Sequence, residues 1–273
     1  MSEKSDGRMM HADKNNEVLV SVIIPAYRCA DTICSAVDSA LAQNVPVEIL
    51  VLNDGAPDDL DDVMKRYQNQ SAVRYLHNPS NLGAAQSRNR GVQMARGKYI
   101  AFLDADDWWE SGKLEKQLSL MAQEDCVLCA SARELVTADG RRTGRIIGVR
   151  EHITYRSLLF HNCINCSSVV LRADVAREFP MEHEESHEDY ITWMRILKKY
   201  RDACAVNEPL LKYRLTSKGK SGSKLRSARM TYRAYRYAGF GVVMSLLLFA
   251  AYMGNGVRKY AWAYVKGSMR NCT

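Results

Sequence analysis

Neither Gly-x-Gly-x-x-Gly nor Gly-x-x-x-x-Gly-Lys-Ser/Thr occurs in this chain of 273 residues, which excludes a dinucleotide-binding turn and a phosphate loop of those kinds. Acidic residues are missing from the whole C-terminal part: no Asp or Glu follows Glu208. Residues 212–273 carry 13 Lys and Arg, which leaves 25 basic against 31 acidic residues elsewhere and assigns the net charge of +7 to the tail. Such a tail suits nucleic acid or an anionic membrane surface. Residues 1–17 lack the apolar run of a secretory signal, so they read as a disordered leader and the protein as cytoplasmic. In that compartment the eight cysteines read as thiols. Cys126-x-x-Cys129 and Cys163-x-x-Cys166 have zinc-site spacing. Both lie in strand-like runs without the Gly or Pro of a zinc-binding turn, so buried structural thiols are expected.

With 47% hydrophobic residues the chain can bury a full core. Val18 to Pro25 is a near-continuous β-branched run, the pattern of a parallel strand buried on both faces. A helix follows, with Asp31 as expected N-cap and Ile33, Val37, Ala40 and Leu41 on one face. Val47 to Leu52 is a second strand ended by Asn53-Asp54-Gly55; Asp58 to Asn69 is a second helix and Val73 to Leu76 a third strand. Asn81 to Gly91 opens a helix that delivers Arg88 near the rim of the sheet. The stretch from Gly97 to Trp109 then runs apolar as a fourth strand and ends in Asp104, Asp106 and Asp107. This alternation predicts an α/β fold, a mostly parallel sheet flanked by helices, with ligands at the carboxyl ends of its strands. Asp107 alone would serve as support and cap for the helix near Ser111, whereas Asp104 and Asp106 precede it. Carboxylates clustered at a strand end repel one another unless a cation, a proton or a ribose hydroxyl offsets them.

In order and at matching spacing, Ser21-Val-Ile-Ile-Pro-Ala-Tyr27, Leu50-Val-Leu-Asn-Asp-Gly55, Asn81-x-Gly-x-x-x-x-Arg-Asn89, Gly97 to Asp107 and Glu188-Asp189-Tyr190 resemble glycosyltransferase family 2, whose fold is GT-A. The resemblance implies a nucleotide-sugar donor, UDP-linked by expectation. It places Pro25, Ala26, Tyr27 and Asp54 around the nucleotide, Arg88 near it, Asp104 at the ribose, and Asp106 on a divalent Mn or Mg cation that bridges the diphosphate. Two positions depart from the common pattern: Arg28 stands where Asn is frequent, and Asn53-Asp54-Gly55-Ala56 where Asp-Asp-Gly-Ser is. A displacement at an anomeric carbon needs a base on the acceptor hydroxyl, and Asp189, with Glu188 as its neighbour, is the candidate at the start of a helix with apolar Ile191, Trp193, Met194, Ile196 and Leu197. His183 and His187 are expected to be exposed.

These readings divide the chain into the leader (1–17), a nucleotide-sugar-binding half (18–110), an acceptor-binding half of the same domain (111–215) and a tail (216–273). Strands are expected near Cys126 to Ala132 and Asn165 to Leu171. The Gly, Ser and Lys-rich stretch up to Lys224 is a flexible linker or, by the resemblance, a lid over the donor diphosphate. Arg226, Arg229, Arg233 and Arg236 then share one sector of a helix, and Tyr237 to Val257 has no charge but four glycines, which favours an interfacial or re-entrant helix pair over a span or a core helix. An apolar tail without polar interleaving argues against nucleic acid. The expected function is that of an inverting, metal-dependent glycosyltransferase, peripheral on the cytoplasmic face of the inner membrane. It would add one sugar to a lipid-linked saccharide in surface-polysaccharide assembly (O-antigen, capsule or exopolysaccharide). A related nucleotidyltransferase, or a non-catalytic module that binds nucleotide sugar or phosphate at a membrane, stands as the alternative.

Overall fold

β1 (Val20–Ala26) lies inside the sheet with β2 (Val47–Asn53) on one side and β4 (Tyr99–Phe102) on the other, all parallel, and β3 (Val73–His77) extends the parallel set beyond β2. The computed structural model describes residues 17–215 and 224–255. The leader, the lid stretch at 216–223 and everything from 256 onward lie outside the described residues.

The alternation of side chains along these strands explains the unbroken apolar runs. Val20, Val22 and Ile24 pack on one face with Ile33, Val37 and Leu114, while Ile23 packs on the other with Leu50, Ile100 and Trp193. Helices α1 (Ile33–Leu41), α2 (Leu60–Met64) and α4 (Lys113–Glu124) supply the first face, and α3 (Ala84–Met94) and α7 (Glu188–Tyr200) the second. Asp31 is exposed and Thr32 occupies the N-cap of α1; α2 is short and continues as a 3-10 turn, Lys65–Tyr67.

Beyond β4 the sheet reverses. β9 (Val170–Arg172) runs antiparallel to β4, and β6 (Leu128–Val136) antiparallel to β9; β10 (Asp202–Arg214) then runs parallel to β6. The long strands change neighbours along their length. β6 pairs with β9 at Leu128 and Cys129, then with β7 (Arg142–Ile147) from Arg133. β10 pairs with β8 (His152–Thr154) at its start and with β5 (Trp108–Trp109) near its end. The strand expected over Asn165 to Leu171 is a 3-10 turn, Cys166–Ser168, followed by β9.

Cys126 and Cys204 form a disulfide, which corrects the expectation that all cysteines are thiols. The cause is long-range pairing: β6 and β10 are neighbours in register around Cys129 and Cys204, so a cysteine just before β6 reaches one on β10, 78 residues away in sequence.

The tail is part of the body. In α8 (Lys224–Tyr237) Met230, Thr231, Ala234 and Tyr235 are buried, and the Tyr235 hydroxyl donates to the Leu159 carbonyl at 2.6 Å from α5 (Tyr155–Phe160). A turn at Gly239 leads into α9 (242–255), so of the charge-free stretch only Tyr237 belongs to α8 and its other described residues are a turn and one helix.

Gly97 shows how tightly β4 is seated. A Cβ there would lie 2.6 Å from the Ser21 backbone nitrogen, and the Gly97 N–H donates to Ser21 Oγ at 2.8 Å. Ser21 in turn donates to buried Glu48. Burial alone would raise the Glu48 carboxyl, but hydrogen bonds from Ser21, Arg96 and Arg74 outweigh it and hold the group below the usual range. Gly97→Ala is expected to lower stability by about 1–3 kcal/mol through overpacking. The reading is a lower urea midpoint with an unchanged slope.

Candidate active site

The sheet order reverses between β1 and β4, so a crevice opens beyond their carboxyl ends. The β1 side is formed by Pro25, Ala26 and Tyr27. Ala26 is buried, Tyr27 is 43% exposed, and Arg28, held at φ 52°, sets its guanidinium 5.3 Å from the centre of the Tyr27 ring.

Asp54, at the end of β2, is buried and turned inward. Its carboxylate accepts from Asn78 Nδ2 at 2.7 Å and from the backbone N–H groups of Leu82 and Gly83 at 2.7 and 2.9 Å, and its own N–H donates to the Ala26 carbonyl. The spacing of Asn81-Leu-Gly83 follows from this clamp: Gly83 takes φ +85°, and a Cβ there would meet the Glu184 side chain at 3.0 Å. Glu184 accepts from the Ala85 N–H at 2.6 Å and so sits on the N-terminus of α3.

Arg88 comes off α3 into the protein interior. Nη2 donates to Asp104 Oδ1 at 2.6 Å and Nη1 to Glu188 Oε1 at 3.2 Å. Burial works against its charge and the anionic surroundings outweigh that, so the guanidinium stays protonated. Arg88 bridges the end of β4 to the first turn of α7. Asp104 is anchored a second time, its N–H donating to Ser167 Oγ at 3.1 Å.

The neighbouring carboxylates are treated differently. Asp107 is buried; its Oδ1 accepts from the Arg214 N–H at 2.9 Å, and burial followed by repulsion from Asp104 and Asp106 raises its pKa well above the ordinary value. Arg214, at the end of β10, donates Nε to the Asp106 carbonyl at 2.8 Å and lies over the Trp108 ring. At Asp106 Arg214 therefore takes the backbone and not the carboxylate. Burial, then the nearby Asp104, raises the Asp106 carboxyl to about 6. Among the described residues no group of three or more His, Cys, Asp or Glu is placed to hold a metal. A cation here would have one protein carboxylate, Asp106, and would draw its remaining oxygens from substrate.

Asp189 follows Glu188 in the first turn of α7. Cys166, whose buried thiol is pushed well above its usual range, feels Arg88, Asp104, Asp189 and Glu188 together, so these four groups converge on one point. Asp104 and Asp189 thus lie together about Cys166, with Asp106 beside Asp104, whereas Asp54, Arg88 and Glu188 are buried. Ser167, Glu184 and the double grip of Arg214 were missed from sequence. Arg214, the last residue of β10, was legible through the resemblance as a cation facing the donor diphosphate and not as a grip on Asp106 and Asp107; Ser167 and Glu184 carried no readable signal. The segment before α7 is held by the tail: His183 stacks on Tyr237 at 3.6 Å between ring centres, and Ser186 Oγ donates to the Met230 carbonyl at 2.8 Å.

A parallel α/β half joined through an antiparallel strand to a second half, with a carboxylate cluster at the junction, is the GT-A arrangement, and solved structures share it. Staphylococcus aureus TarS 1–349 in complex with UDP-GlcNAc superimposes with a TM-score of 0.67 at 16% identity over 86% of this chain and 72% of that one. The model of glycosyl transferase family 2 matches residues 21–177, and the chain belongs to that family. Bacillus subtilis (strain 168) TuaG, named for teichuronic acid biosynthesis, is 32% identical over 90% of this chain and 98% of its own length. Escherichia coli WfaP, a UDP-Glc:alpha-D-GlcNAc-diphosphoundecaprenol beta-1,3-glucosyltransferase, is 30% identical over 90% of this chain and 97% of its own. This protein is a glycosyltransferase and not a nucleotidyltransferase or a binding module.

Arg88→Met would leave Glu188 buried without its cation and is expected to destabilise by about 3–5 kcal/mol. Arg88→Met with Glu188→Leu should cost less than Arg88→Met alone, measured by denaturant unfolding. Asp106 sets a pH dependence in the presence of chelator. The native carboxyl keeps its proton to about pH 6 and the unfolded one only to about 3.8, so the native state binds more protons in between and stability falls as pH rises through that window. Asp106→Asn should flatten this part of the stability curve and exceed the native chain above pH 6 by roughly 3 kcal/mol.

Proposed function

We propose that this protein moves one sugar from a UDP-sugar to a lipid-linked saccharide in cell-surface polysaccharide assembly, with inversion at the anomeric carbon. The observation that supports the reading is the convergence of Asp104, Asp189 and Glu188 with Arg88 about Cys166, with Asp106 beside Asp104. A leaving-group side at Asp104 and Asp106 would then face a base at Asp189. The acceptor class rests on likeness to WfaP, which acts on a diphosphoundecaprenol-linked sugar, and the donor nucleotide on WfaP and TarS together.

On the donor side Tyr27, Pro25 and Ala26 flank the nucleotide, and Asp104 accepts from the ribose hydroxyls while Arg88 and Ser167 hold it in place. Asp54 shapes the same wall through the 82–83 loop. A divalent cation, Mn or Mg, held by Asp106 together with diphosphate oxygens would offset the charge that develops on the leaving nucleoside diphosphate. On the acceptor side Asp189 takes the proton of the attacking hydroxyl. The acceptor oxygen forms its bond to the anomeric carbon as the bond to the diphosphate breaks, and the pair of electrons leaves with UDP. Glu188 stays paired with Arg88, so it orients the first turn of α7 and takes no proton. The work is done at the cytoplasmic face of the membrane that carries the acceptor. The 18–110 segment serves the donor and the 111–215 segment the acceptor.

The test is a screen of nucleotide sugars by thermal shift with and without Mn or Mg. A shift of several degrees with UDP-sugars and the cation supports the reading; silence toward every nucleotide sugar overturns it. Within a responsive protein, Asp189→Asn should cut transfer by a factor of at least ~100 while UDP still binds. Loss of UDP binding in that variant would remove Asp189 from the role of base.

A further inference from the structure

α9 presents an apolar row that the fold does not use. On its inner side Ser245 and Leu248 are buried, and Tyr252 sets its ring 6.4 Å from that of Tyr190 on α7. On the opposite side Val242, Val243, Leu246, Leu247 and Met253 are 53, 72, 53, 61 and 43% exposed. Single exposed apolar side chains are ordinary on a soluble surface, but a row of five at helical spacing on one short helix is not. Immediately before it, α8 buries Met230, Ala234 and Tyr235 and leaves Arg229, Arg233 and Arg236 exposed. The two helices are one unit: Arg236 Nη1 donates to the Phe240 carbonyl at 2.6 Å across the turn, and the rings of Tyr232 and Phe249 meet at 6.3 Å.

We infer that this hairpin is the surface by which the protein docks on an anionic lipid bilayer, the exposed row of α9 at the acyl boundary and the arginines of α8 on headgroup phosphates. At roughly 1.5 Å per residue, α9 is about 21 Å long, short of a hydrocarbon core of about 30 Å, so it lies along the interface. Among the described residues no helix is long and apolar enough to cross a membrane. A second copy of the chain is the competing occupant. A twofold pairing through α9 would bring the arginines of both hairpins toward each other, and residues 224–255 contain no Asp or Glu to answer them. Headgroup phosphates answer them directly. The inference deepens the proposed function and rests on it only in that a lipid-linked acceptor would lie in the same bilayer.

The experiment uses the full chain with phosphatidylcholine vesicles, with and without phosphatidylglycerol, read by co-sedimentation. Binding is expected with phosphatidylglycerol and should weaken with salt. Arg229→Gln, Arg233→Gln and Arg236→Gln together should weaken it on the order of 100-fold. Leu246→Glu with Leu247→Glu should abolish it, with the melting temperature unchanged because both side chains are exposed. Val243→Trp gives a second reading that needs no loss of function: its emission should shift to the blue on phosphatidylglycerol vesicles and be quenched by brominated lipid. Wild-type protein that ignores vesicles, variants that bind like it, or a solution dimer that Leu246→Glu and Leu247→Glu dissolve would overturn the inference. If the wild type turns over a water-soluble acceptor yet ignores vesicles, only this inference fails. If it binds vesicles and no nucleotide sugar stabilises it, only the proposed function fails.

Discussion

Arg88 lies between Asp104 at the end of β4 and Glu188 at the start of α7, and the geometry of the site hangs on that placement. Desolvating three charges is expensive, by several kcal/mol per ion, and their mutual attraction returns it only when the pairing is close. The three groups come from separate parts of the chain, 16 and 100 residues apart, so their joint burial is a long-range constraint. It fixes the end of β4 relative to the start of α7. A hydrophobic contact at that point would hold the elements together without specifying their register, whereas a guanidinium with two directed bonds specifies both.

The acidic turn after β4 gains its division of roles from the same logic. Repulsion within Asp104, Asp106 and Asp107 is relieved unequally: Arg88 compensates the first and a backbone N–H on β10 the third, while only the backbone of the second is bonded by Arg214. Asp106, whose carboxylate Arg214 does not bond, has much to gain from an external cation.

The parallel half was legible because burial on both faces writes itself as unbroken apolar runs, and Asn53-Asp54-Gly55 and Gly97 mark where those runs start and stop. β7 was not, since five of its six residues are exposed and its two isoleucines stand together at one end without alternation, and β5 is two residues long and exists only through pairing with distant β10. The family motifs located the acidic turn and Glu188-Asp189, but they said nothing of which way a side chain points. Asp54 and Arg88 look alike in sequence whether they face a ligand or the interior, and the hydrogen bonds that turn them inward come from Asn78, Leu82, Asp104 and Glu188, whose proximity is a property of the fold. The disulfide between Cys126 and Cys204 escaped for the same reason, as cysteine spacing carries no information about strands meeting 78 residues apart.

The clasp of the tail on the segment before α7 has a practical side. His183 on Tyr237, Ser186 on Met230 and the Tyr190–Tyr235 pair join the C-terminal helices to the helix that carries Asp189. A shortened chain that ends at β10, the natural choice for making a more tractable protein, would strip those partners from α7. Inactivity of such a fragment would report lost support behind α7 as readily as the loss of anything the tail itself does, so the two are separable by surface substitutions and not by truncation.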